Sequence, residues 1–174
     1  MDKKALEALI LKTSGDDNAA FEELYCLMKS SIFSFAYSIC KDFHTAEDIL
    51  QDTFIKIKLY ASSYLVNTNP KAWMLTITKH IALNKMRSIK YILPLDSEDY
   101  INISYKDDKT TEVDNRILIE QLLCVLNDNE RQIVCLHAIS DMKHADIAKI
   151  LDKPYGTVLW TYSNAMKKLK NNIK

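Results

Sequence analysis

Between Thr45 and Phe54 the chain reads TAEDILQDTF, and Glu47, Asp48, Gln51 and Asp52 fall on one side of a helix at 100° per residue. Carboxylates this close could perform general acid–base chemistry if a concave, partly desolvated pocket held them. Here they lie opposite Leu50, Phe54 and Ile57, which makes them the outward face of an amphipathic helix rather than the lining of a pocket. Asp48 and Asp52, four residues apart, repel each other by a few tenths of a kcal/mol, and a basic partner surface would offset that cost. No other pattern assembles a catalytic centre. The chain lacks a Gly-rich phosphate loop, a G-x-S-x-G turn and an H-E-x-x-H helix. His44, His80, His137 and His144 are dispersed, as ordinary core or surface histidines are. The sequence therefore predicts a protein that is not an enzyme, with no catalytic residue, no metal and no cofactor.

Two further stretches suit the binding of polyanions. From Asn67 to Leu95 stand Lys71, Lys79, Lys85, Arg87 and Lys90, with no acid among them. Such a face neutralises phosphates and releases their counterions. Trp73 and His80 are interleaved with it, and the preceding loop carries Tyr64, Asn67 and Asn69. Rings and amides beside cations suit unstacked bases, although the spacing of Trp73 also fits a core position. The third stretch is 153–170, KPYGTVLWTYSNAMKKLK. Val158, Tyr162, Ala165, Leu169 and Ile173 form its inward stripe, and Thr157, Trp160, Asn164, Lys167 and Lys168 group on the other side, flanked by Thr161. The segment HADIAKIL (144–151) precedes it across the short turn DKP, with the small Ala148 where two helices would approach closely. A short helix, a tight turn and a longer helix with a hydrogen-bonding outer face have the geometry of a helix-turn-helix. The backbone N–H groups at Tyr155 and Gly156 would offer a phosphate site.

The elements that must position these residues are helices. Two glycines and three prolines in 174 residues leave too few turn residues for a β-rich fold. Helical spacing predicts a short helix near 3–13 and a long one over 19–41. A third helix starts at Thr45, with Thr45 as cap and Asp48 as its capping-box acid. After a polar loop (62–69), Asn69-Pro70 opens a helix to about Lys90. Beyond Leu93 the chain is acidic and poorly periodic, with seven acids against three bases from Asp96 to Arg116 and one brief alternation at YINISY (100–105). It reads as a linker. Helices follow at 117–126, 129–139, 144–151 and 155–173. The fold expected is all-α, with two small helical domains, 1–92 and 117–174, joined by the acidic linker 93–116.

The net charge of zero is a sum of separated blocks, since the last eight residues add four lysines and no acid. Cys26, Cys40, Cys124 and Cys135 lie far apart near apolar helical positions, which predicts free buried thiols. No apolar run reaches the roughly 20 residues that span a bilayer, and no signal peptide is visible. A cytoplasmic protein without membrane insertion is expected.

Together these segments resemble a sigma factor of the sigma-70 family, in its small extracytoplasmic-function group. Ala46-Glu47-Asp48-Ile49-Leu50-Gln51-Asp52-Thr53-Phe54 is similar to the family's A-E-D-L-x-Q-[DE]-x-F run in region 2. The resemblance implies that Glu47, Asp48, Gln51 and Asp52 dock on the clamp coiled coil of RNA polymerase. Lys71-Ala72-Trp73-Met74-Leu75 and Ile81-Ala82-Leu83-Asn84 are similar to the A-W-L…A-x-[DN] segment. This implies contact with the −10 element by Tyr64, Asn67, Asn69, Lys71, Trp73, Lys79, His80, Asn84 and Arg87. LNDNERQIV (126–134), Asp146-Ile147-Ala148 and Gly156-Thr157-Val158 resemble region 4, whose helix-turn-helix binds the −35 element. The implied contacts are Tyr155, Gly156, Thr157, Trp160, Thr161, Asn164, Lys167 and Lys168.

The implied partners are core RNA polymerase (its clamp and flap regions), promoter DNA and an anti-sigma factor, with no small-molecule substrate. The chain departs from the family at Asn127, where Pro is frequent, at Asp152, where the turn often has Gly, and at His80, where relatives frequently have Asn. Leu159, Thr161 and Asn164 stand where the recognition helix commonly has basic residues, which implies weaker phosphate anchoring and an A·T-leaning −35 contact. A stand-alone helix-turn-helix regulator and a helical adaptor without DNA contact are the rival readings.

Overall fold

The computed structural model describes residues 3–92 and 125–172. The side chains of residues 90–92 are outside that description. Every element is helical among the described residues: α1 (Lys3–Thr13), α2 (Asn18–Cys40), α3 (Phe43–Tyr60), a 3₁₀ turn (Ala61–Ser63), α4 (Pro70–Ile92), α5 (Asp128–Val134) running into a π-helical turn (Cys135–Ile139), α6 (His144–Ile150) and α7 (Tyr155–Asn172). The linker 93–116, the alternation at 100–105, the expected helix over 117–124 and Cys124 lie outside the described residues.

The core is built on α2. Leu24, Met28, Ile32, Phe35 and Ala36 recur at helical spacing and are fully buried. At about 1.5–3 kcal/mol for each large apolar side chain removed from water, this one face outweighs any capping term. α1, α3 and α4 pack on it through Leu6, Ile10, Phe54, Ile57, Met74 and Leu75. The same apolar cluster continues into the C-terminal half through Ile133, Leu136, Met142, Ile147 and Val158. α2 touches both α5 and the π turn, and α4 touches α6. One apolar cluster thus includes residues of both expected domains.

Helix starts follow capping chemistry, with one correction. Asp17 accepts the Ala20 N–H at 3.0 Å and opens α2. α3 begins at Phe43 rather than at Thr45, because Asp42 is its cap and accepts the Thr45 N–H at 2.7 Å. An ionised carboxylate is the stronger acceptor, so Asp42 displaces the threonine hydroxyl from that role. Asn69 caps α4 as expected, accepting the Ala72 N–H at 3.2 Å. Asn127, the residue standing for a family Pro, forms a full capping box with Glu130. Asp152 adopts a left-handed backbone, φ 52°. Asp tolerates that region far better than most residues, which explains how the turn forms without the expected glycine. Cys40 and Cys135 are buried, and burial pushes the Cys135 thiol up to about 12. Cys26 is exposed, contrary to the expected burial, because its position points off the α2 stripe.

Glu130 anchors the C-terminal half. Its side chain is 5% exposed and pairs with Lys168 at 2.8 Å, while one carboxylate oxygen accepts the Asn127 N–H at 2.9 Å. Burial alone would raise the Glu130 carboxyl, but the Lys168 ammonium and the Asn127 N–H outweigh it and hold it below the ordinary range. A depressed carboxylate pKa stabilises the folded chain above the unfolded pKa, and that stability is lost as pH falls through the folded value. Glu130→Gln should therefore lower the unfolding free energy by about 1–2 kcal/mol at neutral pH. The deficit should narrow in acid, once pH has fallen through the depressed folded value and both chains are neutral at this position. Urea midpoints at the two pH values check this, and an equal deficit at both would contradict it.

Candidate functional site

Three surfaces carry the residues singled out by sequence. The first is the outer face of α3. Gln51 and Asp52 are exposed, Glu47 is half-buried with His44 Nδ1 3.9 Å away, and Asp48 pairs with Lys85 of α4 at 2.7 Å. The ridge continues into residues the sequence reading passed over. Ile55 is 58% exposed and Leu59 68% exposed, extending Asp48 and Asp52 at helical spacing. Their signal was present: both are apolar yet lie off the inward stripe of Ala46, Ile49, Thr53 and Ile57. An acidic ridge that becomes apolar suits a partner offering cations beside aliphatic side chains.

The second surface is α4 with the loop before it. Trp73 is partly buried, packs against the core, and meets Tyr64 edge-to-face at 5.3 Å. Tyr64 itself is 5% exposed, and its hydroxyl donates to the Thr68 carbonyl at 3.2 Å. Tyr64 therefore supports the Trp73 ring and is not an open stacking platform. Trp73 and Asn69 line a cleft of 540 Å³ together with Leu65, Thr76, Asp146 and Lys149. Asn67 has a left-handed backbone (φ 66°), and Lys3 donates to its carbonyl. His80, Asn84 and Arg87 are exposed.

Lys71 and Lys79 are half-buried and engaged with the C-terminal half. Lys71 donates to the Ser140 carbonyl at 2.7 Å, and Lys79 donates to the Ile150 carbonyl at 2.7 Å and pairs with Asp152. Desolvation draws the Lys71 ammonium below its ordinary value, against the attraction of Asp141. Asn69 donates to the Asp146 carboxylate at 3.1 Å. A sequence pattern shows that a face is basic. It does not show which distant segment occupies it.

The third surface is α7. Val158 and Ala165 are fully buried, as the inward stripe requires. Tyr155, Gly156, Thr157, Trp160 and Lys167 are exposed, Trp160 at 69%, and Asn164 is half-buried. One expected outer residue is corrected. Thr161 is buried, because its wheel position lies nearer Val158 and Ala165 than Trp160. Lys168 is exposed, as expected, and pairs with Glu130. Behind α7, His137 and His144 stack at 4.3 Å and both meet the Tyr162 ring edge-on. Burial and then His137 keep His144 below its usual pKa, which favours its neutral form. These histidines are packing elements of the helix pair. Among the described residues no group of three or more potential metal ligands occurs.

Comparison with known proteins bears on all three surfaces. The model of sigma-70 region 2 matches residues 24–90, and that of sigma-70 region 4 matches residues 116–169. The ECF RNA polymerase sigma factor SigW of Bacillus subtilis is 24% identical over 170 residues, covering 91% of each chain. SigM of the same organism is 22% identical, with 86% of this chain and 94% of SigM covered. Among solved structures, CnrH in complex with the cytosolic domain of CnrY has a TM-score of 0.68 at 20% identity, covering 97% of both chains. RpoE in complex with the anti-sigma factor NepR, from Bartonella quintana, has a TM-score of 0.67 at 23% identity, covering 87% of this chain and 94% of RpoE.

Proposed function

The chain belongs to the sigma-70 family, in its extracytoplasmic-function group, and we propose how its surfaces divide the work of a promoter-directing initiation factor. It brings RNA polymerase to promoters and is itself non-enzymatic: the polymerase supplies metals, nucleotides and bond-making chemistry. Residues 1–92 form the unit for polymerase and the −10 element, 117–174 the unit for the −35 element, and 93–116 the acidic tether between them. The observation that carries this reading is the order of the two family matches on a chain that is helical throughout its described elements and carries a helix-turn-helix in its C-terminal half.

In this division the α3 ridge meets the clamp, with Glu47, Asp48 and Asp52 giving charge complementarity, Gln51 a hydrogen-bonding amide, and Ile55 and Leu59 apolar contact. α4 and its loop take the −10 element: Lys71, Lys79 and Arg87 face phosphates, while Trp73 and Asn69 border the cleft for an unstacked base. The start of α7 takes the −35 element, with the Tyr155 and Gly156 backbone at a phosphate and Thr157, Trp160 and Asn164 at base edges. An anti-sigma factor is a further partner, since solved structures of similar chains include RpoE bound to one. The site of action is the cytoplasm. No helix among the described residues is long and apolar enough to cross a membrane.

Reconstitution with core RNA polymerase and promoter-dependent run-off transcription tests the proposal. The chain should comigrate with core and direct a transcript of defined start. Duplex binding without need of core would favour the stand-alone regulator, and neither activity would favour the adaptor. Ile55→Ala with Leu59→Ala should weaken association with core about tenfold or more, read by competition against the unaltered chain. Undiminished competition would remove the apolar half of the ridge from the interface. At the other end, Asn164→Ala should cost about 1–3 kcal/mol of discrimination at one base pair of the −35 element. A binding selection in which base preference does not change would exclude that role.

A further inference from the structure

The turn before α4 has its backbone groups satisfied from a distant element. The Thr68 N–H donates to the Leu65 carbonyl at 3.3 Å, and the Thr68 hydroxyl donates to the same oxygen at 2.6 Å. Residues 65–68 thus close one β-turn. Asn67 is its third residue, and its φ of 66° has the positive sign that a type II turn requires there. The turn's own bond uses the Leu65 carbonyl and the Thr68 N–H, which leaves the N–H and C=O of Asn67 to be satisfied from outside it. Both partners come from α1. The Glu7 carboxylate accepts the Asn67 N–H, and the Lys3 ammonium donates to the Asn67 carbonyl at 3.3 Å. Lys3 and Glu7 are four residues apart and so share one face of α1. Leu6, Leu9 and Ile10 beside them are buried in the core, which fixes the helix that carries the pair. Glu7 also reaches Tyr64: burial first, with the Glu7 charge adding to it, pushes the Tyr64 phenol above its ordinary value.

We propose that Lys3 and Glu7 are positioning residues for base recognition: from α1 they hold the two peptide groups of Asn67 and so fix the wall of the Trp73 cleft formed by Leu65, Thr68 and Asn69. Resting on the reading of that cleft as the seat of an unstacked base, this role adds the device that keeps the seat in shape. Leu65, Thr68 and Asn69 line the cleft, whereas Lys3 and Glu7 do not. The α1 pair therefore acts through the Asn67 backbone and not by touching a base. A left-handed residue persists where its surroundings over-determine it, and a charged side chain on each of its peptide groups does that. Bonds of this kind are stronger than those between neutral groups. Leu65 and Val66 are exposed at the tip of the turn and give it little apolar anchorage of its own. Without the α1 pair the turn would sample other conformations, and the free energy of ordering it would be subtracted from that of base binding. A mobile wall also discriminates poorly between bases, because it adapts to each.

The test combines amide exchange by NMR on the full chain with transcription by core RNA polymerase on templates varied at each −10 and −35 position. In the unaltered chain the Asn67 amide should exchange at least about tenfold more slowly than in an unstructured peptide of the same sequence, the factor that one charge-assisted hydrogen bond contributes. Lys3→Ala with Glu7→Ala should abolish that protection. The same variant should lose about three- to tenfold of the discrimination at one −10 position and keep its −35 preference. Lys3→Arg with Glu7→Gln retains a donor and an acceptor at the two places and should restore both readouts. Rapid exchange of Asn67 in the unaltered chain, which needs no variant to fold, would overturn the hold from α1 and leave the reading of the cleft standing. Protection lost with base discrimination unchanged would overturn the positioning role, and so would an equal loss at the −10 and −35 elements, which a chain that has come apart explains. An unaltered chain with no −10 base preference would instead overturn the reading of the cleft, and the positioning role with it.

Discussion

Burial of one face of α2 is the constraint on which the rest of the structure depends. The helix is 23 residues long, and its stripe from Leu24 to Ala36 is sealed by α1, α3 and α4 and by α5 and the π turn. Each neighbouring helix is amphipathic in its own right, and none could keep its apolar stripe from water without α2. This packing turns α3 so that its acids and Ile55 and Leu59 face out. It also sets α4 at the seam between the two halves. The exposed chemistry of the chain is a by-product of where α2 needs cover.

Charge is then arranged in blocks on that scaffold rather than mixed. A net charge of zero conceals an acidic ridge on α3, a basic face on α4 and a lysine-rich end on α7. Several of the charges neutralise each other across elements: Asp48 with Lys85, Asp128 with Lys41, Asp152 with Lys79 and Glu130 with Lys168. Unlike the pairs of the buried Glu130 and Lys79, the more exposed pairs, Asp48 with Lys85 and Asp128 with Lys41, contribute little to stability, often under about 1 kcal/mol. Their exchangeability is the more useful property, because a partner that offers better-placed charges can take them over at small cost. The recognition helix fits the same pattern. With Lys168 committed to Glu130 and Thr161 turned inward, its free outer face rests on Thr157, Trp160 and Lys167. Such a face offers few cations to a phosphate backbone.

Helix identity was legible in the residues because helical periodicity, Asn69-Pro70 and the scarcity of glycine all point one way. The caps were less so. Thr45 and Asp42 are both good cap residues three positions apart, and local sequence does not rank them; geometry chose the carboxylate. The candidate surfaces were legible as faces, with acids on α3 and bases on α4. What sequence could not supply was long-range pairing. Nothing in the order of residues says that Lys71 meets Ser140 or that Asn69 meets Asp146, since those contacts follow from how two amphipathic halves close over α2. Thr161 sits at the border of a stripe, where a few degrees of helix rotation decide between solvent and core, and Tyr64 is buried by a loop that folds its ring against Trp73.

The proposed division of surfaces makes the α3 ridge the part of the chain that meets RNA polymerase. Hydrogen–deuterium exchange of the full chain, with and without core RNA polymerase, measures this most directly. Binding should slow exchange along α3 through Leu59. Unchanged exchange along α3 in a complex that forms would contradict it, because the polymerase would then hold the chain by another surface.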